Sequence, residues 1–149
     1  MSDVVVYEVS ERIATITLNR PEARNALSSE VLRLLPQRMR EADADAEVDV
    51  VIRTGSDPAF CAGLDLKELG STGGNLGATG ADGRPNRDGV RGPFPAMTKP
   101  VIGAVNGVAI TGGFELAPNC DFLVASELAK FGDTHLRVGV KPGWRPTVL

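Results

Sequence analysis

The sequence has 149 residues, 42% of them hydrophobic, which suits one domain able to remove about 68–70% of its unfolded surface from water. A formal net charge of -3 and a pI of about 5.2 leave no basic field of the kind that binds nucleic acid. One histidine argues against a dedicated metal cluster.

Taken in chain order, Val4–Val9 and Ile13–Leu18 are rich in β-branched residues, and Ser10-Glu11-Arg12 between them predicts a hairpin. The opening MSDVVVYEVSERI lacks the basic and then apolar pattern of a signal peptide, and no apolar run is long enough for a membrane span. A cytoplasmic protein without a membrane partner is the expectation. Asn19–Ala23 reads as a turn or loop, because Pro21 pushes Arg20 out of helical geometry. Ser28 or Ser29 should cap a helix running to about Ala42, with Val31, Leu34, Leu35, Met39 and Ala42 on one face. Pro36 within it is expected to kink or shorten it.

Val48–Thr54 predicts a buried strand, and strand–helix–strand order indicates an α/β layer arrangement. After the Gly55–Pro58 turn, Gly63 leads into Asp65, which should cap a short helix through Leu69. Residues 70–92 hold eight of the 17 glycines and little apolar periodicity, so a flexible loop is expected, as a lid or as disorder. Its arginines Arg84, Arg87 and Arg91 read as a solvated loop or as contacts to an anion. Cys61 and Cys120 are far apart with no CxxC partner, and read as free thiols in a reducing compartment, with one disulfide as the alternative.

Lys99–Glu115, KPVIGAVNGVAITGGFE, combines three features. Val101–Val105 has the pattern of a strand buried on both faces. Asn106-Gly107 reads as a turn. Thr111-Gly112-Gly113 then leads into what looks like a helix start with Glu115 in its first turn. Unobstructed N–H groups there suit developing negative charge, and a carboxylate beside them is an arrangement for enolate or acyl chemistry. The plainer alternative is a core strand followed by a glutamate that favours the helix dipole. Pro118 is expected to end or kink this helix. Asp121–Ala125 predicts a strand, Lys130–His135 has turn character, Leu136–Val140 is extended or helical, and Lys141–Trp144 is a turn.

With these pieces placed, the chain resembles the crotonase family, the enoyl-CoA hydratase/isomerase superfamily. The resemblance rests on NRPEARNAL (Asn19–Leu27), AFCAGLDLKEL (Ala59–Leu69), KPVIGAVNGVAITGGFELA (Lys99–Ala117), NCDFLVAS (Asn119–Ser126) and FGDTHLRVGVKPGW (Phe131–Trp144), in the family's order. It implies an α/β spiral of ββα units and an acyl-CoA thioester as partner, with coenzyme A part of the substrate and no separate cofactor. It further implies an oxyanion hole from the backbone N–H groups of Leu64 and Gly112. Glu115 falls on one catalytic glutamate, and His135 stands where a second is usual, so His135 is either the second acid/base or a bystander. Arg24, Ala62, Leu64, Asp65, Leu66, Lys67 and Gly112 would line the CoA and substrate path. The implied reaction is hydration of a 2-enoyl-CoA, with double-bond isomerisation or an inactive CoA-binding fragment as alternatives. The chain ends short of the family's helical trimerisation region, so it is read as C-terminally truncated. The family's trimer or hexamer is then in question, and apolar faces are expected to be left uncovered.

Overall fold

The computed structural model describes residues 3–77, 93–139 and 142–144. The chain opens with the hairpin β1 (Val5–Ser10) and β2 (Ile13–Leu18), paired antiparallel from Val5–Leu18 to Ser10–Ile13. Glu11 and Arg12 close it with positive φ angles of 51° and 64°, the turn geometry whose twist matches that of the strands. Helix α1 (Ser29–Ala44) follows, and the Ser28 Oγ accepts from the Val31 amide at 3.3 Å. Its buried face is Val31, Leu32, Leu35, Met39 and Ala42, with Leu32 taking the place expected of the partly buried Leu34. Pro36 does not end this helix: the chain continues helical for two more turns, whose Met39 and Ala42 are buried in the core. Burial of those side chains outweighs the roughly 3 kcal/mol that an internal proline costs.

Beyond α1 the strands come in consecutive pairs whose members part company. β3 (Val50–Gly55), β5 (Val101–Val105) and β7 (Phe122–Ala125) join the hairpin in a five-stranded sheet of order β1-β2-β3-β5-β7, parallel from β2 onward. β4 (Ala59–Cys61), β6 (Val108–Ile110) and β8 (Lys130–Gly132) build a second, all-parallel sheet of order β4-β6-β8. Each second strand then leads into helical structure. β4 is followed by α2 (Leu66–Ser71), β6 by α4 (Gly112–Leu116), and β8 by a 3-10 turn, His135–Val138. A strand–strand–helix unit repeated three times is the outcome, with like elements side by side.

Several local expectations change. β5 is buried on one face only, at Val101, Gly103 and Val105, while Ile102 and Ala104 are half-buried. Lys130–Gly132 is a strand, because β6 offers it a parallel partner that the sequence pattern alone does not reveal. The glycine-rich stretch begins as helix, with α2 reaching Ser71 and α3 spanning Gly74–Gly77. Residues 78–92, with Arg84, Arg87 and Arg91, lie outside the described residues. Cys61 and Cys120 are both free thiols. β7, the last strand of its sheet, leaves Phe122, Leu123 and Val124 exposed. Among the described residues no helix is long and apolar enough to cross a membrane.

Candidate active site

Because β4, β6 and β8 are parallel neighbours, their carboxyl ends lie together, and so do the three segments that follow them. Ligands favour this edge of parallel sheets, where loops leave strand ends free to present backbone groups. After β4 the chain runs through Ala62 to Asp65. The Ala62 amide donates to the Arg24 carbonyl at 3.0 Å, and Leu27 and Leu64 form a parallel bridge. That bridge uses the Leu27 amide on the Gly63 carbonyl, at 2.7 Å, and the Asp65 amide on the Leu27 carbonyl, at 3.0 Å. The Leu64 amide is left without a hydrogen-bond partner among the described residues. Gly63 has φ +89°, a conformation that an L side chain resists.

After β6 the turn at Thr111 (φ 53°, ψ −122°) is unusual for a residue with a Cβ. Such backbone stores about 1–3 kcal/mol and persists only where neighbours enforce it. Thr111 stands at the N-cap of α4, but its hydroxyl makes no capping bond to the helix. Its Oγ1 instead pairs with the Thr134 Oγ1 at 2.8 Å, tying the end of β6 to the end of β8. The Gly112 amide opens α4 and, like that of Leu64, has no partner among the described residues.

The two junctions touch. A Cβ built on Gly63 would stand 3.0 Å from the Gly112 amide nitrogen and 2.7 Å from the Thr111 Cβ. Two unpartnered N–H groups thus sit on adjoining strand ends. α4 has only five residues, so its macrodipole is small, and the capacity to bind an oxyanion rests on the N–H donors themselves.

Glu115 lies on the first turn of α4 and is buried. α4 stops at Leu116 and tightens into a 3-10 turn, Ala117–Asn119, with Pro118 at its start. The carbonyls freed there find partners: Asn119 Nδ2 donates to the Glu115 carbonyl at 2.7 Å, and the buried Arg53 guanidinium donates to that of Leu116. Arg53 also reaches the Cys120 Sγ at 3.0 Å and lies over the Phe94 ring. Pro118 therefore shortens the helix without loosening the residue it carries.

The Glu115 carboxyl is fully engaged. Its Oε1 accepts from the Gly143 amide at 3.0 Å and the Trp144 amide at 2.6 Å. Its Oε2 faces the His135 Nε2 at 3.0 Å, and the His135 Nδ1 meets the Asp133 Oδ1 at 2.6 Å. His135 is buried; the Asp133 carboxyl is exposed, and the hydrogen bond from His135 holds it below the ordinary carboxylate range. Burial pushes the Cys61 thiol, beneath α4, up to about 12, so it is a packed apolar group and no nucleophile. Among the described residues no three His, Cys, Asp or Glu side chains are placed to hold a metal ion.

This arrangement can be set beside known proteins. The family described as enoyl-CoA hydratase/isomerase matches residues 8–148. The chain belongs to the enoyl-CoA hydratase/isomerase family. It is 44% identical over 141 residues to the Arabidopsis thaliana protein named "Probable enoyl-CoA hydratase 1, peroxisomal", covering 95% of this chain and 51% of that one. It is 40% identical over 143 residues to the 2,3-dehydroadipyl-CoA hydratase of Escherichia coli K12, covering 96% and 54%. A crystal structure of an enoyl-CoA hydratase from Mycobacterium tuberculosis H37Rv superimposes with a TM-score of 0.81 at 50% identity, covering 95% of this chain and 57% of that one. The fold is the α/β crotonase fold of those structures, and the chain spans about half the length of the curated relatives it matches.

Within this member of the family, five of the residues expected to line the CoA path, Ala62, Leu64, Asp65, Leu66 and Lys67, lie on the β4–α2 junction, while Gly112 opens α4. Asp65 is the N-cap of α2, its Oδ1 accepting from the Lys67 and Glu68 amides at 3.0 and 3.2 Å. Burial raises the Asp65 carboxyl, but the Arg20 guanidinium, 2.9 Å from its Oδ2, and the capping amides outweigh this and hold it low. Leu66 and Lys67 project into solvent, and Arg24 is also exposed, touching the junction only through its carbonyl. Sequence reasoning missed Asp133 and the Gly143 and Trp144 amides. The first had a signal, a carboxylate two residues before the only histidine; the amides had none, since a turn read from KPGW does not say what its N–H groups face.

Proposed function

We propose that this chain carries an oxyanion-binding and acid/base site that hydrates a 2-enoyl-CoA. The observation that supports this most is the contact between the Gly63-Leu64 and Thr111-Gly112 junctions, each with an unpartnered amide, one turn from the Glu115 carboxyl. A thioester oxygen held by both amides gains charge as water adds to the β-carbon. Fixed donors stabilise that charge without reorganising, and losing one donor typically costs on the order of 10²–10³ in rate. Glu115 would take a proton from water and return one to the α-carbon, with His135 as the second proton-holding group. Coenzyme A would enter along Arg24, Ala62 and Asp65–Lys67.

Isomerisation of the double bond is the second reading. It is favoured because one buried carboxylate faces a histidine here, where a pair of carboxylates would be the arrangement for adding water. Incubation with a 2-enoyl-CoA should lower the enoyl thioester absorbance and yield a 3-hydroxyacyl-CoA. Conversion of a 3-enoyl-CoA without uptake of water, and no hydration, would replace the first reading by the second. Inertness toward both, with CoA still bound, would leave only a binding role.

A further inference from the structure

We propose that Asp133 is a positioning residue that fixes the His135 proton on Nδ1, so that one further proton is shared between the His135 Nε2 and the Glu115 Oε2. The inference builds on the site just proposed, since it concerns how that site stores a proton.

The Asp133 Oδ1 accepts twice, from the His135 backbone amide at 3.2 Å and from the ring Nδ1 at 2.6 Å. The first bond locks the carboxylate close to its own backbone two residues on, which leaves it a single direction to the ring. An ionised carboxylate only accepts, so the 2.6 Å contact requires the hydrogen on Nδ1. At the other end, the Glu115 Oε1 already accepts from two amides. The contact between Nε2 and Oε2 at 3.0 Å then needs one hydrogen, on the carboxyl or on the ring. Both arrangements have the same composition and net charge: ionised Asp133, neutral His135 and protonated Glu115, or ionised Asp133, His135 cation and ionised Glu115. Moving the hydrogen between Oε2 and Nε2 breaks one O–H bond and forms one N–H bond, and needs no other reactant.

Exposure falls steeply along the row. The Asp133 side chain is 49% exposed, that of His135 3% and that of Glu115 4%. On its His135 side the buried pair is thus flanked by a half-exposed carboxylate. Thr134, between Asp133 and His135, is itself pinned by the Thr111 hydroxyl, so the oxyanion-side turn and the proton-holding row are fastened together.

His135 is the only histidine in the chain, so 15N-histidine labelling reads its tautomer without assignment. The wild-type chain should show a slowly exchanging, strongly hydrogen-bonded proton on Nδ1. In Asp133→Ala that signal should disappear into rapid exchange with water. An Nδ1 without hydrogen in the wild-type chain overturns the proposal, and this holds even if the variant fails to fold. So does a variant whose tautomer and exchange match the wild type. In the hydration assay Asp133→Ala should lose on the order of 10² in kcat, the lower end of what positioned acid–base catalysis contributes, with KM for the enoyl-CoA unchanged. An unchanged kcat beside a lost Nδ1 proton refutes the positioning role. A wild-type chain that hydrates nothing refutes the hydratase reading instead, and the NMR result then decides this one alone.

Discussion

Glu115→Gln is expected to reduce hydration of a 2-enoyl-CoA by about 10²–10⁴-fold, or some 3–5 kcal/mol of transition-state stabilisation. The substitution is close to isosteric, and the surroundings say what survives it. The amide oxygen can still accept from Gly143 and Trp144, and the new NH₂ group can donate to the His135 Nε2 in place of the shared hydrogen. Both junction amides are untouched, since neither bonds Glu115. Fold and thioester binding should therefore persist while proton transfer is lost, giving a fall in kcat with KM nearly constant. Steady-state kinetics with a circular dichroism control measures this. Turnover at the wild-type rate would remove Glu115 from the mechanism.

Among the described glycines whose surroundings are known, Gly113→Ala is expected to produce the largest loss of stability, about 3 kcal/mol or more, or a fall in Tm of roughly 10 °C. A Cβ there would meet the Cys61 carbonyl oxygen at 2.0 Å and the Cys61 carbonyl carbon at 2.8 Å. Both atoms are backbone of β4, so no side-chain rotation relieves the overlap, and α4 must separate from β4. Gly70→Ala is the control. Gly70 lies within α2, a Cβ there meets nothing within 4 Å, and the exchange should be neutral or stabilising by up to about 1 kcal/mol. Equal melting temperatures for the two variants would contradict the packing described for α4 on β4. The same contact explains why a site at this junction demands glycine: the Glu115 helix has to start against another strand's backbone.

Much of the larger sheet was legible because its strands and α1 are long enough to show a period. The hairpin, α1, β3 and β5 each carry five or more patterned residues. The second sheet was not. β4, β6 and β8 have three residues each, too short for periodicity, and they exist because parallel neighbours far along the chain complete their hydrogen bonding. Asn106-Gly107 was readable as a turn, but not that Val108–Ile110 resumes as a strand in the other sheet. The same limitation hid the site's assembly. Gly63 with an Asp cap and the Gly112-Gly113 pair marked two junctions, while their contact follows from the adjacency of β4 and β6. The contact between His135 and Glu115 follows likewise from that of β6 and β8. The extent of α1 was legible despite Pro36, because the apolar period carries through it to Met39 and Ala42.

The proposed chemistry depends on two backbone amides, of Leu64 and Gly112, converging on a thioester oxygen. It is tested most directly by the infrared carbonyl stretch of a 2-enoyl-CoA, labelled with 13C at the thioester carbon and bound to the Glu115→Gln chain, where turnover does not intervene. Donation from Leu64 and Gly112 predicts a stretch at lower frequency than in free solution, and an intermediate value when Gly63→Ala disturbs the first junction. A thioester that binds with its carbonyl stretch unshifted would show that the two amides do not donate to it.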